Sequence, residues 1–210
     1  MKVCIERITN KPIDSNSFVI YIQGRKSCVI IDPGTEDCSD LFEYIVLKGL
    51  FPEYIYLTHE HFDHIWGVNK LKEKYNCKIV CSSICSKRII DKKKNMSIFY
   101  NQIGFETYPA DILIENINKF IEWNGEFFEF IVTEGHTEAS ICILIDNNLF
   151  TGDTIVKNCR TVTKLPGGSK PKLIVSISNL DNIFFGKQIM IHSGHGESFW
   201  YDEKINQDIL

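Results

Sequence analysis

The feature that most constrains this chain is a cluster of metal-ligand side chains at the end of an apolar segment. Residues 58–64 read Thr-His-Glu-His-Phe-Asp-His and directly follow the apolar residues 54–57. His59 and His61 are two positions apart, which suits an extended or looped backbone better than one face of a helix. We therefore expect a strand that ends before this motif and a helix that begins after it, near Ile65.

The other residues of ligand type lie in the second half of the chain. The remaining three of the six histidines are His136, His192 and His195, and Asp153 lies between them in a Gly-Asp turn. Imidazole and carboxylate groups are ligands for zinc, iron and manganese. This layout can supply ligands for two metal ions, and it favours a metal-dependent hydrolase over a set of solvated loop histidines.

Length and composition limit the class of protein. A chain of 210 residues suits one domain, and we expect a single domain over residues 1–210. The net charge of −4 and the pI of about 5.9 give no electrostatic basis for binding nucleic acid or an anionic membrane. No run approaches the ~20 apolar residues of a membrane span, and the charged N-terminus does not suit a signal peptide. We expect a cytoplasmic protein with a small-molecule substrate, while the sequence predicts no oligomeric state.

The eight cysteines contain no Cys-x-x-Cys pair, which argues against a cysteine zinc knuckle. Cys28 and Cys142 lie in apolar runs and are expected to be small core residues. Cys81 and Cys85 are four residues apart and could share a helix face as a reduced pair, with a redox role as the alternative.

Apolar runs and turn residues predict strands, then helices, then strands and a helix. We expect strands at 2–8, 17–22, 27–31, 54–57, 78–81, 111–114, 119–123, 127–133, 140–145, 148–151 and 187–191. Helices are expected at 39–48, with Gly49 as its C-cap, and at 65–75, 82–90 and 171–182. This order suits a two-sheet sandwich with outer helices better than regular βαβ alternation.

The segment between the predicted helix at 82–90 and the next strand is irregular and rich in aromatic residues. Residues 92–110 are expected either to form an insertion over the active site or to contain a helix packed on the core. Three lysines at 92–94 could meet an anionic substrate, although a solvated loop is the usual structure of such a run.

Several motifs resemble the metallo-β-lactamase superfamily. Residues 58–64 match its His-x-His-x-Asp-His signature, and residues 133–137, 151–153 and 193–196 match its later motifs in the same order. Residues 32–34, Asp-Pro-Gly after an apolar strand, resemble its early Asp-x-Gly turn. The resemblance spans almost the whole chain. It implies an α+β fold, the αββα four-layer sandwich, with the metals at one edge between the sheets.

The same resemblance implies a ligand set for two divalent metal ions. It assigns His59, His61 and His136 to the first metal, Asp63, His64 and His195 to the second, and Asp153 to a bridge between them. Zinc is the expected metal, with iron or manganese as alternatives. An aspartate at the bridge resembles the glyoxalase II group rather than the true zinc β-lactamases, which place a cysteine ligand in that region.

The chain departs in one place from the pattern of the superfamily and in two from that of its glyoxalase II group. Glu134 replaces a frequent proline before the Gly-His-Thr turn, and Glu138-Ala139 replaces Pro-Gly after it. Lys164 precedes a Leu-Pro-Gly segment where similar small hydrolases commonly have an acidic residue. Only about fifteen residues follow His195, so we expect no counterpart of the long C-terminal helical extension by which full-length glyoxalase II binds glutathione. These departures concern the identity of the substrate more than the metal site.

The expected mechanism needs no serine or cysteine nucleophile. Two metals would share a water molecule and lower its pKa, so that hydroxide is available near neutral pH. Asp63 is the predicted catalytic residue, orienting this hydroxide as well as ligating the metal. The expected substrate is a thioester or another small activated acyl compound. The alternatives are a mononuclear iron oxidoreductase of the persulfide dioxygenase type and an accessory metal-binding member of a biosynthetic pathway.

Two polar residues near the motifs have open roles. Asp32 is either a hydrogen-bond partner of a ligand histidine or a turn aspartate. His192 is either a hydrogen-bond partner of a ligand histidine or a packed or surface histidine. The second is favoured, because a single histidine usually has no functional role.

Overall fold

The structure is a computed structural model that describes residues 2–115 and 119–201. Within these residues the chain forms two six-stranded sheets, here called sheet 1 and sheet 2. The chain divides into two compact units, residues 1–113 and residues 114–210. In the described part of the chain, no helix has the length and apolar character that crossing a membrane requires.

In sheet 1 the strands lie side by side in the order in which they follow one another in the sequence. They are β1 (Val3–Thr9), β2 (Asn16–Ile22), β3 (Ser27–Ile31), β4 (Phe51–Tyr56), β5 (Lys78–Ser82) and β6 (Ile112–Ile114). The first three strands are antiparallel, whereas β3, β4 and β5 are parallel. Both β2 and β3 are buried along almost their whole length, as expected for strands covered on both faces.

Helices follow strands β3, β4 and β5 of sheet 1. They are α1 (Ser39–Lys48), α2 (Phe62–Ile65), α3 (Val68–Tyr75), α4 (Ser83–Ile89) and α5 (Ser97–Asn101). Leu41 and Ile45 of α1 are buried, and Gly49 ends this helix in the left-handed conformation with a φ of 61°. Both the helix and its predicted cap are therefore confirmed.

Sheet 2 lies in the second unit. Its strands are β7 (Lys119–Trp123), β8 (Glu126–Val132), β9 (Ile141–Ile145), β10 (Asn148–Gly152), β11 (Met190–Ser193) and β12 (Phe199–Trp200). The strands are antiparallel except for β10 and β11, which are parallel and are connected through α6 (Lys170–Phe184). The helix buries Leu173, Ile177 and Leu180 in one core with apolar side chains of this sheet.

The prediction of one helix over 65–75 is wrong. This part of the chain forms two helices, and the first begins inside the motif, at Phe62. The backbone N–H of Gly67 donates to the carbonyl of Pro33 (2.8 Å), and the carbonyl of Asp63 accepts from the Ser15 hydroxyl (2.5 Å). An uninterrupted helix would have joined that N–H to that carbonyl. Tertiary hydrogen bonds therefore replace the helical one and separate α2 from α3.

Two further expectations need correction. The last predicted strand, at 187–191, lies instead at Met190–Ser193, because a turn after α6 places the N–H of Lys187 on the carbonyl of Phe184 (2.9 Å). Cys81 and Cys85 do not share a helix, since Cys81 lies on β5 and Cys85 on α4.

The cysteines of the described residues are all free thiols. The predicted core positions of Cys28 and Cys142 are confirmed, because both side chains are fully buried. Burial raises the pKa of each thiol to about 12. These two thiols are therefore protonated at neutral pH and have the low reactivity of core residues.

The aromatic segment 92–110 is mostly irregular but firmly held. It contains only the short helix α5 among its described elements. Asn95 is fully buried and its side-chain amide donates to the carbonyls of Ile89 (3.2 Å) and Phe105 (2.8 Å). The backbone N–H groups of Lys93 and Lys94 donate to the carboxylate of Asp91, and the three lysine side chains are exposed. Lys92, Lys93 and Lys94 thus belong to a solvated turn.

Candidate metal centre

Asp32 organises the loop that carries the first histidines. It follows β3 with a positive φ of 49°, and Thr58 follows the neighbouring parallel strand β4. One carboxylate oxygen of Asp32 accepts from the N–H of Thr58 (2.8 Å), and the other accepts from the Thr58 hydroxyl (2.6 Å). Because the carboxyl ends of parallel strands lie at one edge of a sheet, a single carboxylate can fix both chain segments there.

These hydrogen bonds also fix the tautomers of two histidines. His64 Nδ1 lies 3.2 Å from Asp32 Oδ2, and a carboxylate can only accept, so Nδ1 carries the proton. The Thr58 hydroxyl donates to Asp32 and therefore accepts from His59 Nδ1, which lies 3.0 Å away. In both rings the lone pair is then on Nε2, the atom available to a metal ion.

The first ligand cluster consists of His59, His61, Asp63 and His64, all in the first unit. The ring of His59 lies 4.8 Å from that of His61 and 4.3 Å from that of His64, measured between centroids. All three histidines are buried, and burying three imidazoles is costly unless their polar atoms are engaged. The structure thus brings together the four predicted ligands of residues 58–64.

Asp63 is fixed through its backbone. Ser15 donates to its carbonyl, and the Ser15 hydroxyl in turn accepts from the amide of Asn10 (2.9 Å). Gly34 also lies against the Asp63 carbonyl, since a Cβ added to this glycine would overlap the carbonyl oxygen. The Asp-Pro-Gly turn therefore ends in glycine because the Asp63 backbone occupies the space of a side chain.

The second ligand cluster consists of His136, Asp153 and His195, all in the second unit. The Nε2 atoms of His136 and His195 lie 3.7 Å and 3.6 Å from the same oxygen, Asp153 Oδ2. Both separations exceed a hydrogen bond. Two donors bound at ~2.1 Å to one ion with tetrahedral geometry would be about 3.4 Å apart, so the spacing suits donors that share a cation.

Sheet 2 explains why these three residues meet. Asp153 follows β10 and His195 follows β11, and the two parallel strands pair Gly152 with Ser193 at their ends. The N–H of Gly194 donates to the carbonyl of Gly152 (2.7 Å), which holds the two turns together. His136 follows β8, and its Nδ1 donates to the carbonyl of Val162 (2.8 Å), so its Nε2 also carries the lone pair.

The donor types in the two clusters fit divalent metal ions. Neutral imidazole nitrogens and carboxylate oxygens suit zinc, iron and manganese, and neither cluster contains a thiolate. His59, His64 and His136 each donate a hydrogen bond from Nδ1, as metal-binding histidines usually do from the nitrogen that does not hold the metal.

The two open assignments are resolved by contacts. Asp32 touches His64 and is therefore the partner of a predicted ligand, as well as a turn residue. His192 is packed, because its ring stacks on Phe150 at 4.8 Å and its two nitrogens contact Ser198 (2.8 Å) and Asn148 (3.0 Å).

Sequence reasoning missed one buried charged pair in the motif. Glu60, between the first two histidines, is fully buried and its carboxylate lies 2.6 Å from the guanidinium of Arg88 on α4. Glu60 occupies a variable position of the motif, so only the burial and the partner reveal it.

Comparison with known proteins identifies the family. The family model described as the metallo-β-lactamase superfamily matches residues 11–197. The chain belongs to this superfamily. It is 30% identical over 192 residues to the probable metallo-hydrolase YqgX of Bacillus subtilis, with 88% of this chain and 86% of the relative covered. It is 31% identical over 175 residues to the hydroxyacylglutathione hydrolase of Buchnera aphidicola, covering 76% of this chain and 61% of that protein.

Solved structures confirm the predicted fold class. The superfamily member BLEG-1, a B3 metallo-β-lactamase, matches with a TM-score of 0.87 and 28% identity over 97% of this chain and 95% of that chain. The α+β, αββα fold of the superfamily is thus confirmed, as is its metallo-hydrolase class. The thioester specificity, the zinc identity, the two-metal state and the single-domain organisation stay predictions.

Proposed function

We propose that this superfamily member is a hydrolase that uses two divalent metal ions to cleave a thioester or another small activated acyl compound. In this proposal the two ligand clusters act together. His59, His61 and His136 hold one metal, Asp63, His64 and His195 hold the other, and Asp153 contributes to both. The observation that carries the proposal is the orientation of three of the histidines, whose Nδ1 hydrogen bonds place the lone pair on Nε2, the atom that would bind a metal.

The metals would supply the chemistry that the protein side chains lack. Bound divalent ions lower the pKa of water and polarise a carbonyl group. The protein contributes positioning: Asp32 and Thr58 hold the proton on Nδ1 of their histidines, and the Ser15 hydroxyl fixes the backbone of Asp63. Asp63 is proposed to orient the attacking water through its carboxylate, which is 14% exposed.

The preference for an acyl substrate rests on two supports. One is the similarity to a hydroxyacylglutathione hydrolase, whose name denotes hydrolysis of an acyl compound of glutathione. The other is Asp153, an oxygen ligand where β-lactamases of the family place a cysteine. Zinc is the proposed metal, and the proposal includes a cytoplasmic location with no nucleic-acid or membrane partner.

Metal analysis joined to a substrate panel tests this function. Purified protein should contain close to two metal ions per chain and should hydrolyse at least one compound in a panel of thioesters, lactones, β-lactams and phosphodiesters. His61→Ala and Asp153→Ala should each lose most of the metal and the activity. His192→Gln is the matched control, because it changes a histidine outside both clusters and should keep both.

Two results would contradict the proposal. Protein that binds no metal would exclude the mechanism altogether. A single iron per chain, with oxygen consumption and no hydrolysis of any panel compound, would favour the persulfide dioxygenase type of oxidoreductase instead.

A further inference from the structure

Four aromatic side chains form a continuous surface in the first unit, here called the aromatic wall. They are Phe62, Trp66, Tyr100 and Phe105. Phe62 stacks on Tyr100 (5.0 Å between centroids, 28° between planes), and Trp66 stacks on Phe105 (5.6 Å, 9°). Trp66 meets Tyr100 edge-on at 5.3 Å, which joins the two stacked pairs.

The aromatic wall begins inside the metal-ligand motif. Phe62 lies between the proposed ligands His61 and Asp63, and consecutive Cα atoms are only ~3.8 Å apart. Trp66 follows Phe62 by four residues at the end of α2, so both rings lie on one side of this short helix. The wall therefore shares its first residue with the motif that carries the first ligand cluster.

The wall is accessible at its outer part. Tyr100 is 43% exposed, and Phe99 and Ile103 in the same segment are 68% and 73% exposed. Large apolar side chains that are exposed singly are ordinary, whereas an exposed ring such as Tyr100 that packs on two further aromatic rings indicates a binding surface.

The segment that carries the outer part is preorganised. Ser97 is buried, and its hydroxyl accepts from the N–H of Phe105 (2.9 Å). The buried amide of Asn95 donates to the carbonyl of Phe105 and its oxygen accepts from the N–H of Ser97 (2.9 Å). A surface that is already ordered loses little conformational entropy when a ligand binds.

We propose that the aromatic wall binds the apolar part of the substrate, so that the preferred acyl group carries an aryl ring. This inference rests on the proposed function, because it names the substrate of that same site. Rings of Phe62 and Tyr100 offer stacking and apolar contact but no charged group, which suits an aryl group and not a charged peptide such as glutathione.

A binding experiment tests the wall without any need for turnover. Metal-loaded protein is titrated with 4-phenylbutyrate and with butyrate, which share the carboxylate and differ by the phenyl ring. We expect 4-phenylbutyrate to bind at least ~10-fold more tightly, the discrimination that an apolar pocket commonly gives. It should change the tryptophan fluorescence, and Trp66→Phe should remove that change although two other tryptophans remain.

Substitutions connect the phenyl preference to the wall. Tyr100→Ala should bring the two affinities close together, and its exposed position makes loss of the fold unexpected. Phe120→Ala is the matched control, since Phe120 on β7 is 56% exposed and lies outside the wall. Equal affinities for the two carboxylates, or a preference that Tyr100→Ala leaves unchanged, would overturn the inference.

A kinetic experiment separates this inference from the proposed function. Phenylacetyl and acetyl thioesters of one thiol are compared, and Tyr100→Ala should raise KM about 10-fold for the first but not for the second. No hydrolysis of either thioester or of any compound in the substrate panel, with the phenyl preference in binding retained, would overturn the function but not the wall. Hydrolysis of both, with no effect of Tyr100→Ala, would overturn the wall but not the function.

Discussion

At the scale of single residues, the proposed ligand His64 and the loop that carries His59 depend on a carboxylate that is distant in sequence. The two oxygens of Asp32 accept from the N–H and hydroxyl of Thr58 and from Nδ1 of His64. An asparagine would have the same size, but in either orientation its NH₂ group would face a donor. We predict that Asp32→Asn lowers zinc affinity by ~10- to 100-fold, measured by competition with a chromophoric chelator.

The control for this substitution is Asp40→Asn, which changes an exposed aspartate in the first turn of α1. It should leave the affinity within error of the wild type. Unchanged affinity in Asp32→Asn would show that the histidines do not need this carboxylate.

The buried Glu60–Arg88 pair gives a prediction about stability. Arg88→Met would leave the Glu60 carboxylate fully buried without its guanidinium partner. We expect the free energy of unfolding to fall by ~3–5 kcal/mol, measured by urea denaturation. Lys87→Met, an exposed neighbour on the same helix, should have little effect.

A double substitution shows whether the loss arises from the uncompensated charge. Glu60→Met with Arg88→Met removes both charges, so most of the lost stability should return. If the double variant is as unstable as Arg88→Met alone, the packing of the arginine side chain and not its charge is what stabilises the loop.

At the scale of helices and strands, the sequence predicts what is local and misses what is tertiary. The strands of sheet 1 and helix α1 agree with their apolar periodicity and turn residues, including the glycine cap at Gly49. The break between α2 and α3 has no such signal, because it depends on the carbonyl of Pro33 and the hydroxyl of Ser15. The predicted ligand positions are equally local, because they lie in turns at strand ends, whereas the contacts of Asp32 and Arg88 are visible only in the fold.

One ion pair links helix α3 to the residue just before β6, and its contribution to stability depends on pH. Asp111, just before β6, accepts from Lys72 of α3 (2.7 Å) and from the N–H of Ile79 on β5 (2.7 Å). Partial burial raises the pKa of this carboxyl, but the hydrogen bond from Lys72 and that from Ile79 outweigh it and leave the pKa below 3.8. The pair therefore stabilises the fold above the unfolded pKa and loses its effect as pH falls through the folded one.

We predict that Asp111→Asn lowers the free energy of unfolding by about 1 kcal/mol at pH 7, since the carboxylate is 36% exposed. Urea denaturation at several pH values should show this difference shrinking as pH falls below ~4. A double-mutant cycle with Lys72→Met isolates the pair, and a coupling that is the same at pH 7 and pH 3 would contradict the assignment.

At the scale of the whole molecule, metal binding and folding should be linked. Metal ions that bind the folded chain and not the unfolded one add stability that grows with the ratio of free metal to Kd, ~4 kcal/mol at a thousandfold excess. The proposed ligands come from sequence positions as distant as His59 and His195, so an unfolded chain cannot hold them together. Their removal should therefore destabilise the protein as a whole.

We predict that a chelator lowers the melting temperature and that added zinc restores it, measured by circular dichroism. His61→Ala should melt lower than wild type and should respond much less to the chelator, because much of its metal is already lost. His192→Gln should keep the full response, since the ring of that histidine stacks on Phe150 and its two nitrogens contact Ser198 and Asn148. An equal response in His61→Ala and wild type would place the stabilising metal somewhere other than the motif.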